Sequence, residues 1–208
     1  MLKRAFLFCF AAAACFMIQG FAGAESLTLI NDFENQQTVT AFGGSWFTVN
    51  DAANNGSSVA EPMPFVVTKI HGGGAGGSDC FAKLTGKVTV KFQYGFIAMD
   101  CDLVSNAVWF DLTKYKGIKL AVRGDGKDYK LQIRAPINTD YCYYTHILPT
   151  TASWTALTLP FDTFKQESWG KFTDFNETFQ HAIGLQFQTT TQPIPSVDLE
   201  IDDIYLYK

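Results

Sequence analysis

Residues 117–134 read GIKLAVRGDGKDYKLQIR, and this stretch decides the fold class. Apolar residues alternate with polar or small ones on both sides of a Gly124-Asp125-Gly126 turn, which predicts two half-buried strands joined as a hairpin. Similar runs recur along the chain without long helical periodicity, and only short helical turns are expected, near Phe161–Phe164 or Phe175–Phe179. About ten short strands with tight turns predict an all-β protein, an antiparallel sandwich or jelly roll.

The beginning of the chain has the pattern of an export signal. Lys3 and Arg4 precede an almost wholly apolar run over residues 5–18, and Ala22-Gly23-Ala24 forms a small-residue cleavage site before Glu25. The apolar run is too short for a stable membrane span. We therefore expect a signal peptide over residues 1–24, one domain over residues 25–208, and a secreted or periplasmic location.

The chain is mildly acidic. It has 16 Lys and Arg residues against 20 Asp and Glu residues, a net charge of −4; without Lys3 and Arg4 the balance is 14 against 20, or −6. Basic residues do not cluster. This charge pattern argues against nucleic acid or an anionic membrane as the partner.

Catalytic patterns are absent from the sequence. His71, His146 and His181 have no metal-ligand spacing, there is no G-x-S-x-G motif, and the other acidic residues are scattered near turns. The glycine-rich residues 71–78 lack the lysine and helix of a phosphate-binding loop, so they predict a tight connection between strands. We expect a protein without enzymatic activity. The alternative, a glycan lyase or hydrolase, would need two neighbouring carboxylates beside the binding face.

Three cysteines follow the predicted signal peptide. Cys80 and Cys101 flank two strand-like runs that could form a hairpin, which makes them the preferred disulfide pair in an oxidising compartment. Cys142 would then be unpaired. The alternative is that all three are reduced and partly buried.

Acidic residues lie at both ends of the predicted domain. The first and last strands of a β-sandwich tend to be neighbours, so Asp32 and Glu34 could meet Asp202 or Asp203. Clustered carboxylate oxygens suit Ca²⁺, and the sequence predicts a structural calcium site to which only one of the two adjacent aspartates turns. The alternative is that these acids protect edge strands from aggregation.

Three strand-like segments predict a polar-aromatic platform. When one face of each packs in the core, the opposite faces carry polar and aromatic groups that suit a sugar. Two tryptophans in turn-flanked stretches, Trp46 and Trp169, are expected to wall the platform. The alternative is that the aromatic residues fill the core or rim. The predicted platform consists of Gln132, Arg134, Tyr144, His146, Gln186 and Gln188.

An ordered set of motifs resembles two related families. The motifs are Asp32-Phe33-Glu34, Gly43-Gly44-Ser45-Trp46, Tyr115-Lys116-Gly117-Ile118, residues 123–129, residues 154–161 and Ile201-Asp202-Asp203-Ile204. In this order they resemble carbohydrate-binding modules of family 11, and the complex I intermediate-associated protein domain. Both imply a galactose-binding-like β-sandwich jelly roll.

The two resemblances imply different ligands. The carbohydrate-binding resemblance implies a structural calcium and β-glucan binding on a concave sheet face, on strands Tyr129–Ala135 and Tyr141–Leu148. The other implies a protein-interaction or assembly role. We expect a secreted, non-catalytic protein that binds an oligo- or polysaccharide such as β-glucan, and the alternative is a protein-interaction module on the same fold.

Overall fold

The computed structural model describes residues 25–167, 170–190 and 192–208. The predicted signal peptide, residues 1–24, lies outside the described residues. Two antiparallel sheets pack face to face and enclose the core, so the predicted all-β sandwich is confirmed. The one α-helix described is α1 (Phe175–Gln180). The strands are β1 (Leu27–Asn31), β2 (Trp46–Asn50), β3 (Val59–Glu61), β4 (Thr68–Lys69), β5 (Cys80–Val88), β6 (Ile97–Asp102), β7 (Gly117–Gly124), β8 (Asp128–Arg134), β9 (Tyr144–Pro149), β10 (Thr155–Pro160), β11 (Lys165–Gln166), β12 (Gly184–Thr189) and β13 (Ile194–Tyr207).

The long last strand organises the seven-stranded sheet. Its order is β10-β7-β13-β5-β3, with β1 paired to β13 and β4 paired to β5. Strand β13 pairs with β7 along one side, and with β5 and then β1 along the other. The first and last strands are therefore neighbours, as the sequence predicts.

The six-stranded sheet has the order β11-β9-β8-β12-β6-β2. Strands β8, β9 and β12, which carry most of the predicted platform, are adjacent in it. Alternate residues of β8 and β12, such as Leu131, Ile133 and Leu185, are buried between the sheets. The intervening residues must then point away from the core, and they define the outer face of this sheet.

Two expected hairpins are absent. Strands β7 and β8 belong to different sheets, so the Gly124-Asp125-Gly126 turn carries the chain across the sandwich. Strands β5 and β6 are also split between the sheets. The apolar alternation correctly predicted that these segments are strands. It indicates which side of a strand is buried, but it does not indicate which strand lies beside it.

The preferred disulfide, between Cys80 and Cys101, does not form in the structure. Cys80, Cys101 and Cys142 are all free and buried, in agreement with the alternative of reduced thiols. Burial raises the pKa of Cys101 to about 12, so this thiol is unreactive in the folded protein.

The two short helical segments lie where the sequence predicts them. Phe161–Thr163 form a 3-10 turn, and α1 begins at Phe175 after an Asp174 cap that accepts a hydrogen bond from the Glu177 amide. No helix among the described residues has the length and apolar character needed to cross a membrane.

Candidate functional site

One row of side chains crosses all six strands on the outer face of the six-stranded sheet. Residues directly opposite each other in antiparallel strands share a face, and Gln132 lies on the outer face because Leu131 and Ile133 are in the core. The register then places five further residues beside it. We call this set the central row: Phe47, Asp100, Gln186, Gln132, Thr145 and Lys165.

The middle of the central row is buried and incompletely hydrogen-bonded. Gln186 Nε2 donates to Asp100 Oδ2 at 3.1 Å, and Gln132 Nε2 donates to Thr145 Oγ1 at 3.2 Å. Asp100 Oδ1 and Gln132 Oε1 have no hydrogen-bond partner among the described residues, although each residue is only 3% exposed. Such acceptors are costly to leave unpaired, and their presence on the outer face indicates a place for hydroxyl donors.

Arg134 lies next to this row and joins two carboxylates. Its Nη2 donates to Asp102 Oδ1 at 2.7 Å and to the Cys101 carbonyl at 3.0 Å, while its Nε lies 3.4 Å from Asp100 Oδ2. The guanidinium sits 5.4 Å from the centre of the Phe47 ring. At Gly184 a Cβ atom would come within 2.3 Å of Arg134 Nη2, so the glycine provides the space for this side chain.

Burial sets the electrostatics of the site. It raises the pKa of Asp100 to about 6, an effect partly offset by Arg134 and by the hydrogen bond from Gln186. Burial also raises the pKa of Tyr143, whose hydroxyl is close enough to feel the charges of Arg134 and Asp100. Tyr143 immediately precedes β9.

A second row runs alongside the central row. Gln188 lies opposite Lys130, and Lys130 opposite the exposed Ile147. Lys130 forms an ion pair with Glu167 at the edge of the sheet. The predicted residues Gln132, Arg134, Gln186 and Gln188 thus share one face, as expected.

The predicted placement of Tyr144 and His146 on that face was wrong. They lie opposite Ile133 and Leu131, so they point inward. Tyr144 packs against the rings of Phe175 and Phe179, and its hydroxyl donates to the Thr173 carbonyl at 3.1 Å. His146 packs against Phe164.

The sequence contained a signal for the correct phase of β9. Alternate residues of a strand point to the same side, so Tyr144, His146 and Leu148 share one face of β9. Leu148 is fully buried, so that face points into the core. The outer face instead receives Thr145 and Ile147. The sequence did not predict that Phe47, Asp100 and Asp102 belong to the site, because only the pairing of β6 with β12 and of β2 with β6 brings them there.

The predicted tryptophan walls have different outcomes. Trp46 is in the core, stacked against Phe65 and Phe187 and tilted against Phe33, so its assignment to the platform was wrong. It precedes Phe47, and the alternation of β2 turns Phe47 outward in its place. Trp169 lies outside the described residues.

The four predicted calcium ligands separate into two groups. Burial, together with the negative charges of Asp32 and Glu34, raises the pKa of Asp203. Asp202 turns away: its Oδ2 accepts hydrogen bonds from the Ala75 amide and from Ser78 Oγ, both at 2.9 Å. Among the described residues, no group of three or more His, Cys, Asp or Glu side chains has an arrangement that could hold a metal.

Asp202 instead anchors the glycine-rich loop, residues 71–78, to the outer face of the seven-stranded sheet. Arg123 and Trp154 pack against the buried Phe81 ring, and both donate hydrogen bonds to the Gly73 carbonyl of the loop, at 3.0 Å each. Burial raises the pKa of Asp202 to about 6. The loop is thus a structural connection, as its sequence predicts.

The fold is that of carbohydrate-binding β-sandwich modules. The family 11 carbohydrate-binding module from Clostridium thermocellum, solved with a β-1,3-1,4-mixed-linked tetrasaccharide, superimposes with a TM-score of 0.57 at 13% identity, covering 88% of this chain and 96% of that one. The family 30 module of a cellulosomal cellulase from the same organism superimposes with a TM-score of 0.50 at 15% identity, covering 73% and 90%.

The sequence itself places the chain in a family. The model of the Complex I intermediate-associated protein 30 (CIA30) family matches residues 31–196, and the chain belongs to that family. It is also 24% identical over 180 residues to Endoglucanase 3 of Fibrobacter succinogenes (strain ATCC 19169 / S85). That match covers 86% of this chain but only 27% of the endoglucanase.

Proposed function

We propose that this protein binds an oligo- or polysaccharide on the outer face of the six-stranded sheet, without transforming it. The observation that carries the proposal is a pair of buried acceptors without hydrogen-bond partners among the described residues, Asp100 Oδ1 and Gln132 Oε1, beside Arg134 Nε, which is ion-paired with Asp100 but makes no hydrogen bond. Groups that bind sugar hydroxyls in a site are polar, fixed and close to apolar surface. This face supplies all three properties.

Two half-buried side chains lie on the same face as these polar atoms. Phe47 and the Arg134 guanidinium, 5.4 Å apart, offer a surface against which the C–H face of a sugar ring packs. A hydroxyl reaches the acceptors underneath when one of these side chains shifts, or through a bridging water. Affinity then comes from stacking together with hydrogen bonds to groups already held in place.

A β-glucan is the proposed ligand. The family 11 module of similar fold was solved with a mixed-linked tetrasaccharide, and the distant sequence relative is an endoglucanase of which this chain matches about a quarter. The predicted signal peptide would bring the protein to such polymers outside the cell or in the periplasm. The structural calcium remains a prediction from the sequence, because no three acidic side chains among the described residues are arranged to hold it.

The proposed absence of catalysis follows from the carboxylates of the site. Asp100 and Asp102 are neighbours on this face, yet both are engaged by Arg134. Glycoside hydrolysis needs one free carboxylic acid and one free carboxylate on either side of the scissile bond. Incubation with β-glucan should therefore release no reducing ends.

The test is a glycan-array screen of the purified protein with calcium present, repeated with Gln132→Leu. Leucine fills the buried space but cannot accept a hydrogen bond from a sugar hydroxyl, so we expect hits on β-glucans whose affinity falls about tenfold in the variant. Thr158→Ala, on the exposed outer side of β10 in the other sheet, is the matched control and should bind normally. Equal binding by Gln132→Leu would contradict this site.

A protein-interaction role is the alternative, and its one support is membership of a family named for association with a complex I intermediate. It predicts that a well-folded sample gives no hits on the array. It also predicts that a protein partner covers the outer face, which would slow hydrogen exchange in β8 and β12 on binding. Glycan hits lost in Gln132→Leu would exclude this alternative for that face.

A further inference from the structure

A small aromatic pocket lies at one end of the six-stranded sheet. Trp109 is 61% exposed and meets the ring of His181 edge to face, with 4.4 Å between the ring centres. The cavity that this ring pair helps to line is about 160 Å³, which is small compared with pockets for drug-sized ligands and sufficient for a single sugar-sized ring. Pro136, Ile137 and Glu177 complete its lining.

The pocket lies at the Arg134 end of the proposed binding face. Strand β8 ends at Arg134, and Pro136 and Ile137 follow two and three residues later; β12 begins at Gly184, three residues after His181. The two segments are joined by a hydrogen bond from the Ile183 amide to the Arg134 carbonyl at 2.8 Å. Thus β8, which holds Gln132 and Arg134, and its neighbour β12 both lead to this pocket.

Backbone pairing also fixes the position of Trp109. The next residue, Phe110, donates its amide hydrogen to the Ala182 carbonyl at 2.8 Å, which brings the segment beside His181. His181 is itself held: its Nδ1 lies 3.0 Å from the Glu177 carbonyl, so Nδ1 carries the proton and Nε2 is the acceptor of the neutral ring. The ring pair is therefore built into the fold.

The chemistry of the lining suits a sugar. An exposed indole offers a flat apolar surface for ring C–H groups, and an imidazole and a carboxylate beside it bind hydroxyls. Nothing in this set is suited to a phosphate, because it carries an acid and no Lys or Arg.

We propose that the Trp109–His181 pocket is an additional subsite that binds one ring of the same glycan, beyond the Arg134 end of the central row. This inference rests on the proposed function. It predicts that long oligosaccharides gain affinity from Trp109 and that short ones, which fit on the central row alone, do not.

The experiment measures affinity for mixed-linkage gluco-oligosaccharides of increasing length by isothermal titration calorimetry. We expect the affinity of the unaltered protein to rise with length, and that of Trp109→Ala to lose about tenfold on the longest ligands while remaining unchanged on the shortest. Val108→Ala is the control, because Val108 is the neighbouring residue, 56% exposed, and does not line the pocket.

The outcomes separate the two proposals. An unchanged length dependence in Trp109→Ala would overturn the subsite and leave the central row as the binding face. No binding of any length by the unaltered protein would overturn the proposed function, and the subsite with it. His181→Ala is a second variant, expected to show the same length-selective loss; melting temperatures close to that of the unaltered protein would establish that both variants are folded.

Discussion

Replacing Asp100 by asparagine should change how stability depends on pH. Asp100 is nearly inaccessible, and burial raises its pKa from 3.8 to about 6 in the folded protein. Between these two values the folded state holds the proton more tightly than the unfolded state. The stabilising contribution is therefore complete below pH 4 and is lost as the pH rises through about 6.

The size of the effect follows from the difference in pKa. A difference of about two corresponds to about 3 kcal/mol in the free energy of unfolding. Asparagine has nearly the same shape and cannot ionise, so Asp100→Asn should escape this loss. Relative to the unaltered protein, we expect the variant to gain up to about 3 kcal/mol between pH 4 and pH 7. Any constant cost of the amide cancels in this comparison across pH.

The assay is urea denaturation of both proteins at several pH values. Asp202 also has a pKa of about 6, but it is present in both proteins and cancels in the difference. Asp128→Asn is the matched control, since Asp128 is exposed on the same face of β8. A stability difference between Asp100→Asn and the unaltered protein that stays flat from pH 4 to pH 7 would refute the reasoning.

Three further predictions concern stability. Glu200 is 6% exposed and pairs with both Lys83 and Arg123, so Glu200→Ala should lower the free energy of unfolding by about 2 to 3 kcal/mol. Asp198 is more exposed and pairs with Lys83, so Asp198→Ala should lower it by less than about 1 kcal/mol. Equal losses of the two variants in urea denaturation would contradict this. If calcium joins the chain ends, a chelator should lower the melting temperature of the unaltered protein but not that of Asp203→Asn, and a melting temperature insensitive to chelator would remove calcium from the account. Because all three cysteines are free and buried, they should react with a thiol reagent once the protein is denatured, with no reductant added, and should not react in the folded protein. A cross-linked pair in non-reducing peptide maps would contradict this.

The sequence predicts which strands exist better than it predicts how they are arranged. Strands β7 and β8 lie within the stretch 117–134 on either side of the Gly124-Asp125-Gly126 turn, as predicted, because apolar alternation and turn residues are local signals. The alternation in β8 and β12 also identifies the outward glutamines, since each strand has clear apolar residues on one side only. Apolar alternation does not predict which strand pairs with β7. It is compatible both with a hairpin to β8 and with a turn that carries the chain to the other sheet, and only the packing of the two sheets against each other selects the turn to the other sheet.

The candidate site was harder to predict for a related reason. In β9 the inward positions hold Tyr144 and His146 and an outward position holds Ile147, so polarity and burial disagree along the strand. Asp100 and Phe47 lie far from Gln132 in the sequence and reach it only through the register of β6, β12 and β2. Long-range pairing, which a single sequence does not display, assembles this part of the site.

The most direct measurement is a crystal structure of the protein with a β-1,3-1,4-mixed-linked tetrasaccharide. The account predicts sugar rings over the central row, packed against Phe47, with a hydroxyl or a bridging water bonded to Asp100 or Gln132. Sugar bound on the outer face of the seven-stranded sheet, or along the loops without contact with the central row, would contradict the account.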